Sequence, residues 1–142
     1  MPIFFHNDEI SFDLKGKRKI KDWINAVIAG YDKKSGDINY VFCSDESLYN
    51  INKQRLKHNY YTDIITFDLS ESETIVEGDL FLSIDRIRDN SLALGESFDN
   101  ELYRVMIHGI LHLLGYRDKT DNEQQQMRQQ ENKALKLFLS RP

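Results

Sequence analysis

The chain reads as an α+β domain, a small mixed β-sheet of about four strands with helices packed on it. Three observations predict this. The β-rich runs fall mostly in the first 83 residues, and helix-period segments dominate the rest. One pair of runs near the start is linked by a helix, which suits parallel pairing. A later pair is linked only by a short turn, which suits a hairpin. The 142 residues show no repeat, low-complexity tract or linker, so 1–142 reads as one domain.

Residues 2–6 (PIFFH) are short and apolar and read as an edge strand. Ile20, Trp23, Ile24, Val27 and Ile28 make a helical stripe over 17–31, with Gly30 as its terminator. Lys33 to Gly36 reads as a turn and Ile38 to Cys43 as a strand. Ser44 is a good N-cap, followed by Asp45 and Glu46 in the first turn of a helix to about residue 57. Asp63 to Leu69 and Ile75 to Ser83 are β-rich, the second interrupted at Gly78-Asp79. Ser70 to Glu73 turns between them. Asp85 to Leu94 is a short helix stopped by Gly95, and Phe98 to Leu114 a strong one stopped by Gly115. Thr120 or Asp121 caps a polar last helix through Leu139.

Composition excludes several classes. With 40% hydrophobic and 30% charged residues the chain is neither disordered nor membrane-like. No apolar run approaches the ~20 residues that span a bilayer. The start lacks a basic segment followed by an apolar one, so a cytoplasmic protein is expected. The single Cys43 excludes an internal disulfide and any CxxC site, leaving His and carboxylates as ligand chemistry. It ends an apolar run and reads as a small buried hydrophobe. The net charge of -4 is uneven: residues 68–101 hold ten acids against two bases. The remainder is basic, with Lys15, Lys17, Arg18, Lys19 and Lys21 in one cluster and Lys53, Arg55 and Lys57 in another. Such clusters suit an RNA backbone as well as ordinary solvated helix faces.

The segment that carries chemistry is His108-Gly-Ile-Leu-His112-Leu-Leu-Gly115-Tyr116-Arg117-Asp118. Two His four apart share one side of a helix and can grip one metal ion. Gly115 lets the chain fold back, so Asp118 can supply a third ligand. Three protein ligands and an open position are the layout of a catalytic site, in which a water has its pKa lowered towards ~7. An H-x-x-x-H pair also occurs on surfaces and in cores without a metal. Here half of the chain's four His lie in one apolar helix, where leaving them unpartnered is costly. Gly109 stands where a zincin has its glutamate base, which disfavours a metallopeptidase.

This segment resembles the H-G-x-L-H-L-x-G-Y-D-H signature of the YbeY family of bacterial rRNA maturation factors. Tyr61-Thr62-Asp63-Ile64-Ile65-Thr66-Phe67 resembles the family's P-T-D-V-L-S-F strand, and Glu77-Gly78-Asp79-Leu80-Phe81-Leu82-Ser83 its G-D-I-x-I-S strand. The three motifs come in the same order and the length agrees. The resemblance implies a metal-dependent, single-strand-specific endoribonuclease that matures the 3′ end of small-subunit rRNA and serves ribosome quality control. It implies one Zn²⁺ and, as partners, ribosomal RNA and small-subunit proteins. The implied ligands are His108, His112 and the residue at position 118, with His108 also catalytic. Lys17, Arg18, Lys19, Lys53, Arg55 and Lys57 are the candidates for holding RNA.

The departures are specific. The family's third ligand is His where this chain has Asp118, a harder oxygen donor that also admits Mn²⁺ or Mg²⁺. The Asp before it is Arg117 here. The family's Arg ahead of P-T-D, associated with RNA cleavage, falls on Leu56. Arg55, one residue earlier, is the candidate substitute, although on a helix it points about 100° away. These changes leave a second reading open, a ribosome-assembly factor without catalysis whose metal is structural. Asp63 and Asp79 read equally as strand-entry residues and as site residues. Tyr60 and Tyr61 suit base stacking or packing. His58 reads as a surface residue, and His6 as a satisfied edge-strand residue.

Overall fold

In the computed structural model, residues 2–56 and 61–140 are described. The order is β1 (Ile3–Asn7), α1 (Lys17–Ala29), β2 (Lys34–Cys43), α2 (Asp45–Arg55), β3 (Ile64–Asp68), β4 (Ile75–Ser83), α3 (Ile84–Leu94), α4 (Phe98–Leu113) and α5 (Asp121–Ser140). The four strands form one sheet in the order β1-β2-β4-β3. β1 and β4 both run parallel to β2, and β3 is antiparallel to β4, so the sheet is mixed as expected.

Period-two alternation builds two faces. Ile38, Tyr40 and Phe42 of β2 and Val76, Leu80 and Leu82 of β4 point into the main core. There they meet Trp23 and Ile24 of α1 and Met106 and Ile110 of α4. Two buried polar groups are satisfied across this core. The Tyr40 hydroxyl donates to the Met106 carbonyl at 2.9 Å, and the Trp23 indole to the Ala134 carbonyl at 2.7 Å. On the other face α2 covers a smaller cluster of Cys43, Leu48 and Ile65. Cys43 is fully buried there, and burial pushes its thiol up to about 12, which keeps it a packing residue.

Two sequence expectations are corrected. Lys34 to Gly36 is strand, not turn: the Lys34 amide donates to the Thr74 carbonyl, and Lys34 and Ser35 pair with Ile75 and Val76. A register shift between Ser35 and Ile38 absorbs the irregularity that looked like a turn. Likewise Gly78 does not interrupt β4. A Cβ there would lie 2.5 Å from the Phe67 carbonyl oxygen, so glycine is what lets β3 approach this closely.

Gly109 sets the position of α4. A Cβ on it would sit 2.4 Å from Leu80 Cδ2 and 2.8 Å from Ile64 Cδ1. The helix therefore crosses the sheet with its backbone against β4 and β3. That contact brings the neighbouring His108 to the edge formed by β3. It also shows why no glutamate stands here, since position 109 faces the sheet.

Candidate metal centre

α4 presents His108 and His112 one turn apart on its half-buried side. Each Nδ1 is held by an acceptor, and each by a different kind. His108 Nδ1 donates to Glu131 Oε2 at 2.6 Å, and His112 Nδ1 donates to the Tyr116 carbonyl at 2.9 Å. With both Nδ1 atoms carrying the proton, both Nε2 lone pairs turn inward. The two Nε2 atoms are 3.0 Å apart. Asp118 Oδ2 closes the triangle at 3.2 Å from His108 Nε2 and 3.3 Å from His112 Nε2.

Three electron-rich atoms that converge this closely repel one another unless they share a cation. Around a tetrahedral zinc with bonds of ~2.0–2.1 Å, ligand atoms lie about 3.3 Å apart. The spacing of His108, His112 and Asp118 fits that requirement, and the three form a group able to hold a metal ion. The loop that delivers Asp118 begins at Gly115, whose φ of 106° is open to glycine and strained for other residues. Its backbone geometry also aims the Tyr116 carbonyl back at His112.

Glu131 of α5 is the functional residue that sequence reasoning missed. It is 4% exposed and clamped by Arg104 Nη1 at 2.9 Å, with Arg128 Nη1 at 3.7 Å. Burial disfavours its charge, but the bonds from His108 and Arg104 outweigh that and hold its carboxyl below the usual range. Burial likewise opposes a charged His108. The Glu131 bond and the fields of Glu131, Asp118 and Asp63 prevail, so its pKa is raised. The carboxylate–histidine pairing is the outer support that orients metal-binding imidazoles. A signal for it lies in the sequence. Met127, Glu131, Ala134 and Phe138 form the buried stripe of a helix otherwise rich in Gln, so Glu131 occupies a core position.

The cleft beside the trio has a volume of about 460 Å³. Its walls include Asn52 and Leu56 from the α2 end, Asp63 and Thr66 from the β3 side, and Lys119 after the trio. Asp63 stands both at the strand entry and on the cleft wall. Its carbonyl accepts from the Ser83 amide at 2.9 Å, and its side chain lines the cleft near His108. Burial raises its pKa, partly offset by His108. Asp79 is on the opposite face of the sheet, bonded to the Asn39 amide at 3.3 Å. His6 of the edge strand β1 is satisfied by Asn39 at 2.8 Å.

The structure separates most of the RNA candidates from this cleft. Arg55 is exposed at the end of α2, and Leu56, not Arg55, lines the cleft. Lys53 is exposed on the same helix. Lys17, Arg18 and Lys19 open α1, and Lys19 Nζ lies 4.6 Å from the centre of the Phe138 ring. α1 and the residues after it meet α5 in reverse order, with Trp23 bonded to Ala134 and Tyr31, just beyond α1, to Gln130. Their basic start therefore lies at the end of α5 remote from Asp118. Lys57, His58 and Tyr60 fall outside the described residues. Tyr61 packs at a tilt against Tyr49 with ring centres 4.5 Å apart and donates to Glu46 at 3.0 Å, which is packing.

An α+β fold carrying a His-His-Asp trio on one helix and its following loop defines a protein with a candidate metal centre, one such group among the described residues. The chain belongs to the YbeY family: the sequence model described as Endoribonuclease YbeY matches residues 3–138. A Parabacteroides distasonis Endoribonuclease YbeY is 45% identical over 138 residues, covering 97% of this chain and 96% of that protein. One from Bacteroides thetaiotaomicron is 50% identical over 137 residues, covering 96% and 99%. A solution structure of a Thermotoga maritima protein has the same fold, with a TM-score of 0.67 at 24% identity over 96% of this chain and 88% of that one. Among the described residues no helix is long and apolar enough to cross a membrane.

Proposed function

We propose that the protein is a zinc-dependent, single-strand-specific endoribonuclease of the cytoplasm. Its proposed task is to mature the 3′ end of small-subunit rRNA and to serve ribosome quality control, with ribosomal RNA and small-subunit proteins as partners. The observation that carries the reading is the convergence of His108 Nε2, His112 Nε2 and Asp118 Oδ2, within 3.3 Å of one another, beside an open cleft. Membership of a family described as endoribonucleases supplies the substrate class.

His108, His112 and Asp118 would hold the ion. A bound Zn²⁺ would supply Lewis-acid polarisation and a nucleophile at neutral pH. The chain's own groups do the rest. Glu131 keeps the proton of His108 on Nδ1, so Nε2 stays available as a donor atom. The Tyr116 carbonyl does the same for His112. The Asp63 carboxyl, with its raised pKa, faces the cleft where a scissile phosphate would lie and is placed to exchange a proton there.

A second reading, an assembly factor without catalysis, is favoured by Leu56 in the cleft and by the exposed, outlying Arg55. Cleavage of single-stranded rRNA fragments by wild type and His112→Ala, with and without chelator, decides between them. The endoribonuclease reading expects cleavage by wild type alone, lost with chelator and restored by zinc. Zinc analysis is expected to find one ion in wild type and almost none in His112→Ala. Equal metal in both proteins sinks the ligand set, and metal-bound wild type that leaves RNA intact favours the assembly role.

A further inference from the structure

The endoribonuclease reading leaves a charge problem. A strand approaching the trio brings one negative charge per phosphate, yet Asp63, Asp118, Asp121 and Glu131 line the surrounding cavities. Even with a divalent ion at the trio, a phosphate here needs further cations close by. Among the described residues of the basic clusters named from sequence, Lys17, Arg18, Lys19, Lys53 and Arg55, none lines these cavities. Among the described residues, the cations on these walls are Lys119 in the cleft and Arg104 and Arg128 in the cavities on the α5 side.

Arg104 is committed. Its Nη1 binds Glu131 and its Nη2 binds Asn132, each at 2.9 Å. Arg128 is not. Its side chain is 61% exposed, and its contact with Glu131 Oε1, at 3.7 Å, is too long for a hydrogen bond. That contact nevertheless steers the guanidinium to the side of α5 that faces the site. The other oxygen of the same carboxylate holds His108 at 2.6 Å. Arg128 also shares two cavities with His108 and Asp118. In the larger, Gln124, Gln125 and Gln129 add amide donors and acceptors along the same helix. A guanidinium with an uncommitted fork matches a phosphate bidentately, which a flexible lysine such as Lys119 does not. Amides beside it suit sugar and base edges.

We propose that Arg128 is the phosphate-binding residue of the site, and that the RNA strand is held along α5, opposite the wall formed by α2. The proposal rests on the endoribonuclease reading.

The test uses the full-length zinc-loaded protein and a single-stranded oligoribonucleotide, with variants Arg128→Ala, Arg128→Lys and Lys133→Ala. Lys133 is an exposed residue of α5 outside these cavities, so it controls for loss of one positive charge. We expect Arg128→Ala to lower kcat/KM at least tenfold, mainly through KM, with zinc content unchanged. Arg128→Lys should recover part of the loss, and Lys133→Ala should stay within twofold of wild type. Binding of a non-cleavable 2′-deoxy oligonucleotide to the zinc-loaded protein, followed by fluorescence anisotropy, gives a readout free of turnover. There the salt dependence of log K should fall by ~0.7 for Arg128→Ala, one phosphate contact. Equal effects of Arg128→Ala and Lys133→Ala, or an unchanged salt slope, overturn the proposal while the reading stands. Loss of zinc in Arg128→Ala also overturns it, since the arginine would then act through Glu131. Wild type that neither binds nor cleaves RNA removes the reading and the proposal together.

Discussion

His108 and His112 are the same residue on the same face of one helix, yet the molecule holds them by unlike means. His108 is held by a buried carboxylate 23 residues further along the chain, itself clamped by Arg104. His112 is held by a backbone carbonyl only four residues away, aimed by the turn at Gly115. The first anchor is charged and depends on α5 packing against α4. The second is neutral and belongs to the local chain. A charged partner both orients an imidazole and raises its basicity as a ligand, whereas a carbonyl chiefly orients it. The two anchors should therefore fail differently.

The sharpest way to separate them is Glu131→Gln, which keeps the shape and removes the charge. Zinc titration should show affinity weakened about 10–100-fold, the usual scale for an outer-shell partner. An affinity within twofold of wild type would show that the carboxylate matters only for packing.

A smaller effect is expected at the other anchor. Gly115→Ala puts a side chain at a φ of 106°, which costs about 1–3 kcal/mol of backbone strain. Denaturant melts should register that loss. Zinc affinity should fall less than in Glu131→Gln, because the Tyr116 carbonyl carries no charge to lose. The reverse order would mean that the turn, and with it Asp118, governs the site.

The smallest effect concerns pH and should appear only on the His108 side. Glu101, 6% exposed in the first turn of α4, has its pKa raised by burial and by Asp63 and Glu131, while Arg104 and Arg128 pull it down. Folding thus disfavours its ionised form. Its contribution to stability is fully present below the unfolded carboxylate value of ~4.3 and is lost as pH rises through the raised value. Glu101→Gln is expected to melt above wild type at neutral pH, with the gap closing as pH falls towards ~4. A gap that widens on acidification would reverse the sign of the argument.

The contrast between the anchors also marks how far the sequence could be read. Element types and order followed from periodicity and caps, because Ser44 and Gly95 act through their immediate neighbours. The errors lay where a distant partner changed the meaning of a local signal. Lys34 to Gly36 looks like a turn until β4 pairs with it, and Gly78 looks like a break until Phe67 is placed against it. In the site, His108, His112 and Asp118 are spaced by one helix and one glycine turn, so eleven consecutive residues announce them. Arg55 drew notice through its place beside a motif, but helix geometry turns it away from the cleft.

By itself, then, the sequence determined the α+β pattern, the caps, the trio and the turn that brings Asp118 back, all matters of short-range backbone geometry. Tertiary structure alone decided that Glu131 supports His108, that Arg104 is consumed in holding Glu131, and that Arg128 is left with its donors uncommitted. The reason is physical. The energy of a buried charge depends on which opposite charges packing brings within hydrogen-bond reach, and in this protein the buried Glu131 comes from a helix that reads, on its own, as a polar surface, while its partners Arg104 and His108 come from α4.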